Sequence, residues 1–287
     1  MAAQLLKGAP IAERIREEIA AEVAALRGKG VTPLLVAIQV GENPASAVYV
    51  GQQQKAAEKL GVSYRLHNLP EDATQQAVAD FIGKMNGDPE VTGIILQMPV
   101  PQGLNARELQ ALIDPAKDVE GVSPANMGWV VFGRPTLAPC TALGVVELIN
   151  STGVNLYGKE VVIVGHSDIV GKPLALLLLD KFATTTVCHI GTGERGVLPD
   201  HVKGAEILVV AVGKAGLIKG EWIKEGAIVV DVGINRVGDK IVGDVEFEPA
   251  AERAAYITPV PGGVGPLTVT MLMKNTVAAA KQQKGLG

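Results

Sequence analysis

The sequence predicts an α/β protein of two domains built on open, mostly parallel sheets, and three observations carry that prediction. At 287 residues the chain suggests about two domains and is long enough for full cores. It is 47% hydrophobic but only 3% aromatic, with 34 Gly and 17 Pro, the balance of a chain with many strand-to-helix turns. Short β-branched apolar runs alternate with helical periodicities, as βαβ units require. The same composition narrows function. A net charge of −4 with no basic block argues against nucleic acid or an anionic membrane as main partner. Cys140 and Cys188 give neither a disulfide framework nor metal-ligand spacing, so no metal site is expected. No apolar run approaches the roughly 18 residues of a membrane span, and MAAQLLKGAP has no signal-peptide core, so a soluble cytoplasmic enzyme is expected.

In order along the chain, residues 11–27 place Ile11, Ile15, Ile19, Val23 and Leu26 at helical spacing, an amphipathic helix closed by Gly28 and Gly30. Leu34–Val40 reads as a buried strand, 41–44 as a turn, and Ser46 as the start of a helix over 47–60. Strand 64–69, helix 74–83, buried strand 91–98 and helix 107–113 follow. Ligands of such sheets sit outside the carboxyl ends of the strands. Tyr49, Gln97 and Glu120 all lie just past strand ends or on the following helix, so they are expected to face one cleft.

The second half begins with a helix from 139–141 to about Ser151 and a connector over 153–158. Residues 161–164 are four apolar, β-branched residues, a buried parallel strand. Gly165, His166, Ser167, Asp168 and a second glycine at 171 come next, then an apolar helical run over 174–179. That layout of strand, tight Gly turn and helix points backbone N–H groups at a phosphate. The spacing is G-x5-G rather than G-x-G-x-x-G, so the generic dinucleotide fingerprint is not met. Strands are expected at 185–188, 207–211 and 227–231. The run 260–266, with three Gly and two Pro, can be neither helix nor central strand and reads as a shaped loop where backbone approaches a ligand closely. A helix over 267–281 is expected to pack back on the first half.

With these residues in place the chain resembles the methylenetetrahydrofolate dehydrogenase/cyclohydrolase family. The resemblance rests on SAVYV at 46–50, GIILQMPVPQG at 93–103, KDVEG at 117–121, PCT at 139–141, GHSDIVGKP at 165–173, GAIVVDVGIN at 226–235, GDV at 243–245 and YITPVPGGVGPLTVTML at 256–272. It implies a folate-binding catalytic domain over 1–140 plus 267–287, a Rossmann-like dinucleotide-binding domain over 141–266, a cleft between them and a homodimer formed through the second domain. It also implies oxidation of a tetrahydrofolate one-carbon derivative with NADP or NAD, followed in most members by hydrolysis to the 10-formyl form. The site residues carried over are Tyr49, Gln53 and Gln97 as the catalytic set, and Tyr49, Gln97, Glu120, Pro261, Gly262 and Gly263 for substrate. For the cofactor they are Thr141, Gly165, His166, Ser167, Val170, Gly171, Val212, Gly213, Val232, Ile234 and Thr268.

Two departures from the family pattern bear on the chemistry. The family's helix carries Tyr and, four residues on, Lys, on one helical face. Here the partner of Tyr49 is Gln53, and the nearest lysine, Lys55, lies about 240° around the helix from Tyr49. The Asp of the family's K-D-V-D-G is Glu120, longer by one methylene. An amide cannot move a proton near neutral pH, so the cyclohydrolase step is expected to be lost or strongly reduced. Two other readings are a dehydrogenase acting on a modified one-carbon carrier and a non-enzymatic paralogue acting as subunit or regulator. On the cofactor side, His166 follows the first glycine, Ile190 ends the next strand's turn, and GTGERG at 191–196 reads as a long loop. No carboxylate stands at that strand end to hold a ribose 2′-OH, and the choice between NAD and NADP stays open.

Overall fold

The computed structural model describes residues 3–286, without the side chains of residues 44 and 45. The chain separates into two compact units. One comprises Arg14–Cys140 and the chain from Val269 onward, and the other the residues up to Glu13 together with Thr141–Thr268.

The first unit is built on a three-stranded parallel sheet in the order Ser63–Leu69, Leu34–Val40, Gly93–Leu96. Every residue of the central strand LLVAIQV is buried, apolar but for Gln39, whose amide donates to Gly41 O, as fits a strand covered on both faces. Val36, Ile38, Ile94 and Leu96 join Val78 and Ile82 of helix Gln75–Gly87, and Leu109 of helix Ala106–Ala111, in one core. Thr74 caps the first of these helices by accepting from Ala77 N, and Asn105 caps the second by accepting from Glu108 N. The Lys117 ammonium, buried, donates to the carbonyls of Met85, Asn86 and Asp88 at the far end of helix Gln75–Gly87. It satisfies acceptors that the helix leaves open and opposes the negative end of its dipole. The backbone after Lys117 runs beside the third strand, with Ile94 N donating to Lys117 O at 2.8 Å. A Cβ on Gly93 would sit 2.5 Å from Val119 Cγ1, so only glycine allows that approach. Helix Gly265–Gln283 joins this unit from Val269 onward. Its Asn275 amide donates to Val119 O and Ala138 O, and Gln283 to Thr92 O and Ala116 O.

The second unit holds a six-stranded, all-parallel sheet in the order Gln4–Leu5, Tyr256–Ile257, Ile228–Asp231, Ile207–Val210, Glu160–Val164, Thr184–Cys188. From Glu160–Val164 the chain passes to Thr184–Cys188 on one side and returns to Ile207–Val210 on the other. The strand order therefore reverses at Glu160–Val164, which makes a crevice at the carboxyl ends of Glu160–Val164 and Ile207–Val210.

The structure corrects several expectations. The first residues belong with the second unit, because Gln4–Leu5 adds a strand to Tyr256–Ile257 and Gly8 N donates to Gly262 O. The expected domain break before residue 267 falls instead after Thr268. The first helix starts at Gly8, not residue 11, and the second at Pro44, where a fixed φ suits a first helical position. Ser46 is inside that helix and donates from Oγ back to Asn43 O, so it does not start the helix. GTGERG is not an open loop. Ile190–Glu194 is a turn of helix whose His189 Nδ1 accepts from Gly191 N, with Thr192 Oγ1 accepting from His189 N in return. The short helices Pro124–Val131, Leu198–Gly204 and Phe247–Arg253, and the hairpin Asn235–Val237 with Lys240–Val242, had no reading in the sequence.

Candidate functional site

In the first unit, Gln53 and Gln97 meet. Gln53 lies about two and a half turns into helix Pro44–Leu60, and Gln97 is the residue after strand Gly93–Leu96, held there by Gln97 N donating to Ile38 O. Both are 5% exposed. The Gln97 amide donates to Gln53 Oε1 at 2.8 Å, the Gln53 amide returns a bond to Gln97 Oε1 at 3.4 Å, and Tyr64 OH donates to Gln53 Oε1 at 3.1 Å. Tyr64 is a member the sequence did not reveal, since nothing in a strand residue eleven positions away marks it as a partner. Burial pushes its phenol up to about 12. Two amides and a raised phenol leave this cluster without a group that changes charge near neutral pH. Tyr49, one turn before Gln53, is 48% exposed. Lys55 is exposed and outside the cluster.

Glu120 lies on the segment pinned beside the third strand. Its neighbour Asp118 accepts from Gly121 N, Ser123 N and the Asn126 amide, which fixes the turn around it. The Glu120 Oε2 atom is buried with no hydrogen-bond partner. Burial, reinforced by the Asp118 charge and opposed by Gln110, raises its carboxyl to about 8. A buried polar atom with nothing to bond is costly and marks a place where a ligand can supply the missing group. Cys140, buried, donates to Val119 O, and its thiol is pushed far up by burial and by the Glu120 and Asp118 charges, so it is no nucleophile.

In the second unit, the turn after Glu160–Val164 explains the G-x5-G spacing. Gly165 has φ +123°, and a Cβ there would overlap Ala211 O of the neighbouring strand's turn. A Cβ on Gly171, the first residue of helix Gly171–Leu179, would overlap Gly165 O. Two bare backbones pack against each other, and residues 166–170 arch between them. Ser167 shapes the arch by accepting from Val170 N on Oγ and from Lys172 N on its carbonyl. His166 and His189, both exposed, face each other from adjacent strand ends with ring centroids 5.4 Å apart. Of the other residues assigned to the cofactor, Thr141 and Thr268 share a hydroxyl contact of 3.3 Å. Val212 and Gly213 follow Ile207–Val210, and Val232 and Ile234 follow Ile228–Asp231. Pro261, Gly262 and Gly263 belong to this unit, where Gly263 N donates to Pro259 O.

Two buried carboxylates tie the last two strand ends together. Asp244 accepts from Val212 N, Gly213 N, Lys214 N and the Asn235 amide at 2.8–2.9 Å. Asp231 accepts from Gly233 N, Asp244 N and Val245 N, and its own N–H donates to Thr258 Oγ1. Burial raises Asp231 to about 6 against the pull of those N–H groups, with the Asp244 charge adding to the rise. Both aspartates stand in sequence stretches already singled out, GAIVVDVGIN and GDV, but spacing alone gave them no role.

Comparison with known proteins finds two domains in succession along the chain. Residues 6–120 match the catalytic domain of the tetrahydrofolate dehydrogenase/cyclohydrolase family, and residues 139–284 its NAD(P)-binding domain. The Bifunctional protein FolD 2 of Geobacter sulfurreducens is 50% identical over 280 residues, covering 97% of each chain. Among solved structures, the Campylobacter jejuni bifunctional enzyme FolD, a methylenetetrahydrofolate dehydrogenase/cyclohydrolase, superposes with a TM-score of 0.94 at 42% identity, over 98% of this chain and 99% of that one. The Trypanosoma brucei dehydrogenase-cyclohydrolase, complexed with NADP and an inhibitor, does so with a TM-score of 0.93 at 40% identity, over 98% of each.

Proposed function

The chain belongs to the tetrahydrofolate dehydrogenase/cyclohydrolase family, and we propose from that premise that it oxidises 5,10-methylenetetrahydrofolate to the 5,10-methenyl form and hydrolyses the product weakly or not at all. The observation that carries the second half is the closed Gln53–Gln97–Tyr64 cluster. NADP or NAD, when bound, supplies the hydride acceptor. The second unit suits a dinucleotide, because its Gly165–Gly171 contact leaves a bare-backbone arch at the point where strand order reverses. Residues 167–171 take the pyrophosphate in this reading, with Thr141, His166, Val212, Gly213, Val232, Ile234 and Thr268 around the rest.

The hydride step asks little of acid–base chemistry. The carbon that gives up hydride is flanked by two nitrogens that stabilise the cation, so the protein's task is to hold a pose. Glu120, with its unsatisfied oxygen, anchors the pterin's N–H groups in this reading, Tyr49 stacks on the ring, and Gln97 completes the hold from the first unit. Hydrolysis of the cation needs a proton moved, and general acid–base help is worth about 10²–10⁴ in rate. Gln53 holds its hydrogen bonds but cannot move that proton. The same reading takes the protein as a cytoplasmic homodimer joined through the second unit, with no nucleic acid or membrane partner.

Gln53→Lys tests the assignment. It is expected to raise methenyl hydrolysis by at least about tenfold while dehydrogenase turnover persists, and Glu120→Asp in the same chain to raise it further by restoring the shorter anchor. Unchanged hydrolysis in a folded, dehydrogenase-active Gln53→Lys protein would show that position 53 is not where the proton moves.

A further inference from the structure

The strand order reverses at Glu160–Val164, so the crevice of the second unit is walled on one side by residues 211–214, the turn that follows Ile207–Val210. Gly165 already touches this turn, since a Cβ there would overlap Ala211 O. Nothing in the turn's own sequence, A-V-G-K, fixes its course: Val212, Gly213 and Lys214 are exposed, and Gly213 is at φ +66°. What fixes it is a side chain thirty residues away. Asp244 is 0% exposed, and its two oxygens accept from three consecutive backbone N–H groups and the Asn235 amide, which fills the capacity of a carboxylate. Asp231 holds Asp244 in turn, by accepting from its N–H at 3.0 Å. Two glycines make room for the pair. A Cβ on Gly233 would overlap the Asp244 carboxylate, and one on Gly243 the Asp231 carboxylate.

From this geometry we infer that Asp244 is a positioning residue for the dinucleotide: its carboxylate gathers the N–H groups of residues 212–214 and so sets the shape of the crevice wall against which the cofactor lies. The inference rests on the second unit being the NAD(P)-binding one and on no assumption about the folate chemistry. A carboxylate that accepts from several N–H groups is a strong local tie, and replacing one of its oxygens with a donor leaves N–H groups of the turn without their acceptor. The turn then loses its one course while the sheet beneath it keeps its backbone ladder.

Asp244→Asn keeps the shape but replaces one accepting oxygen with an NH₂ that faces N–H donors. NADPH and NADH fluorescence titrations should show the dissociation constant rising at least about tenfold, with the KM for methylenetetrahydrofolate within about twofold of the parent's. Asn235→Ala removes one donor from Asp244 and leaves the carboxylate in place, so it guards against a misfolded first variant. It should weaken dinucleotide binding by about threefold or more, again without moving the folate KM. A folded Asp244→Asn protein that binds both dinucleotides as the parent does would overturn the inference. So would parent-like binding by Asn235→Ala if Asp244→Asn does not fold, or a parent that binds no dinucleotide at all. A parent that binds dinucleotide but leaves methylenetetrahydrofolate unoxidised would defeat the proposed function, and the titrations would still decide the role of Asp244.

Discussion

Glu120 shows what a single residue can reveal only in three dimensions. In the sequence it is an acidic residue in a turn, longer by one methylene than the family pattern. In the structure its Oε2 is buried and unpartnered, and its carboxyl is raised to about 8 by burial first and the Asp118 charge second. The folded protein therefore keeps a proton that the unfolded chain releases above its ordinary value of 4.5. The stability this contributes is complete below that value and is lost as pH rises through about 8, with a slope approaching about 1.4 kcal/mol per pH unit between the two. Glu120→Gln removes the titration. Thermal melts from about pH 5 to about pH 9 should show a fall for the parent that is flattened in the variant, and parallel curves would mean that Glu120 is charged in the folded state. Gln53 was legible as a departure from pattern, but its bonds to Gln97 and Tyr64 were not, because pairing across a sheet and a helix leaves no trace in local spacing.

At the scale of elements, the sequence spoke clearly where one signal acted alone. Leu34–Val40 is buried along its whole length and needed no context to be read as a central strand. Helix Gly8–Gly28 showed its buried positions Ile15, Ile19, Val23 and Leu26 at helical spacing, and only its start was misplaced. Helices of five to eight residues, such as Ile190–Glu194 and Pro124–Val131, span too few turns to display a period, and tertiary contacts and caps rather than pattern hold them. The turn at Gly165 falls between these cases: its glycines were visible, but their reason, one backbone packed on another, was not. Gly171→Ala should therefore destabilise the second unit by about 1–3 kcal/mol and abolish dinucleotide binding together with it. Gly83→Ala, in helix Gln75–Gly87 where an added Cβ meets nothing, should stabilise the protein by about 0.5–1 kcal/mol. Urea melts of the two variants should move in opposite directions, and a neutral Gly171→Ala would contradict the close packing of the turn.

On the scale of the whole molecule, the alternation of strands and helices announced two α/β units, yet the chain is partitioned less simply than a first half and a second half. The N-terminal strand Gln4–Leu5 completes the sheet of the second unit, and the C-terminal helix from Val269 onward completes the core contacts of the first. Two residues of extended chain carry too little pattern to declare which sheet they will join, so pairing with Tyr256–Ile257 had to be seen. In the proposed function the division of chemistry follows the division of units: hydride acceptance is assigned to the unit with the bare-backbone turn, and the weakened hydrolysis to the Gln53 cluster of the other. The most direct measurement is a single-turnover reaction of the unmodified protein with methylenetetrahydrofolate and either dinucleotide, following methenyltetrahydrofolate and 10-formyltetrahydrofolate separately by absorbance. Methenyltetrahydrofolate should accumulate to nearly the amount of dinucleotide reduced and then decay at or little above its uncatalysed rate. Formyl product appearing as fast as the dinucleotide is reduced, with no methenyl accumulation, would contradict this expectation.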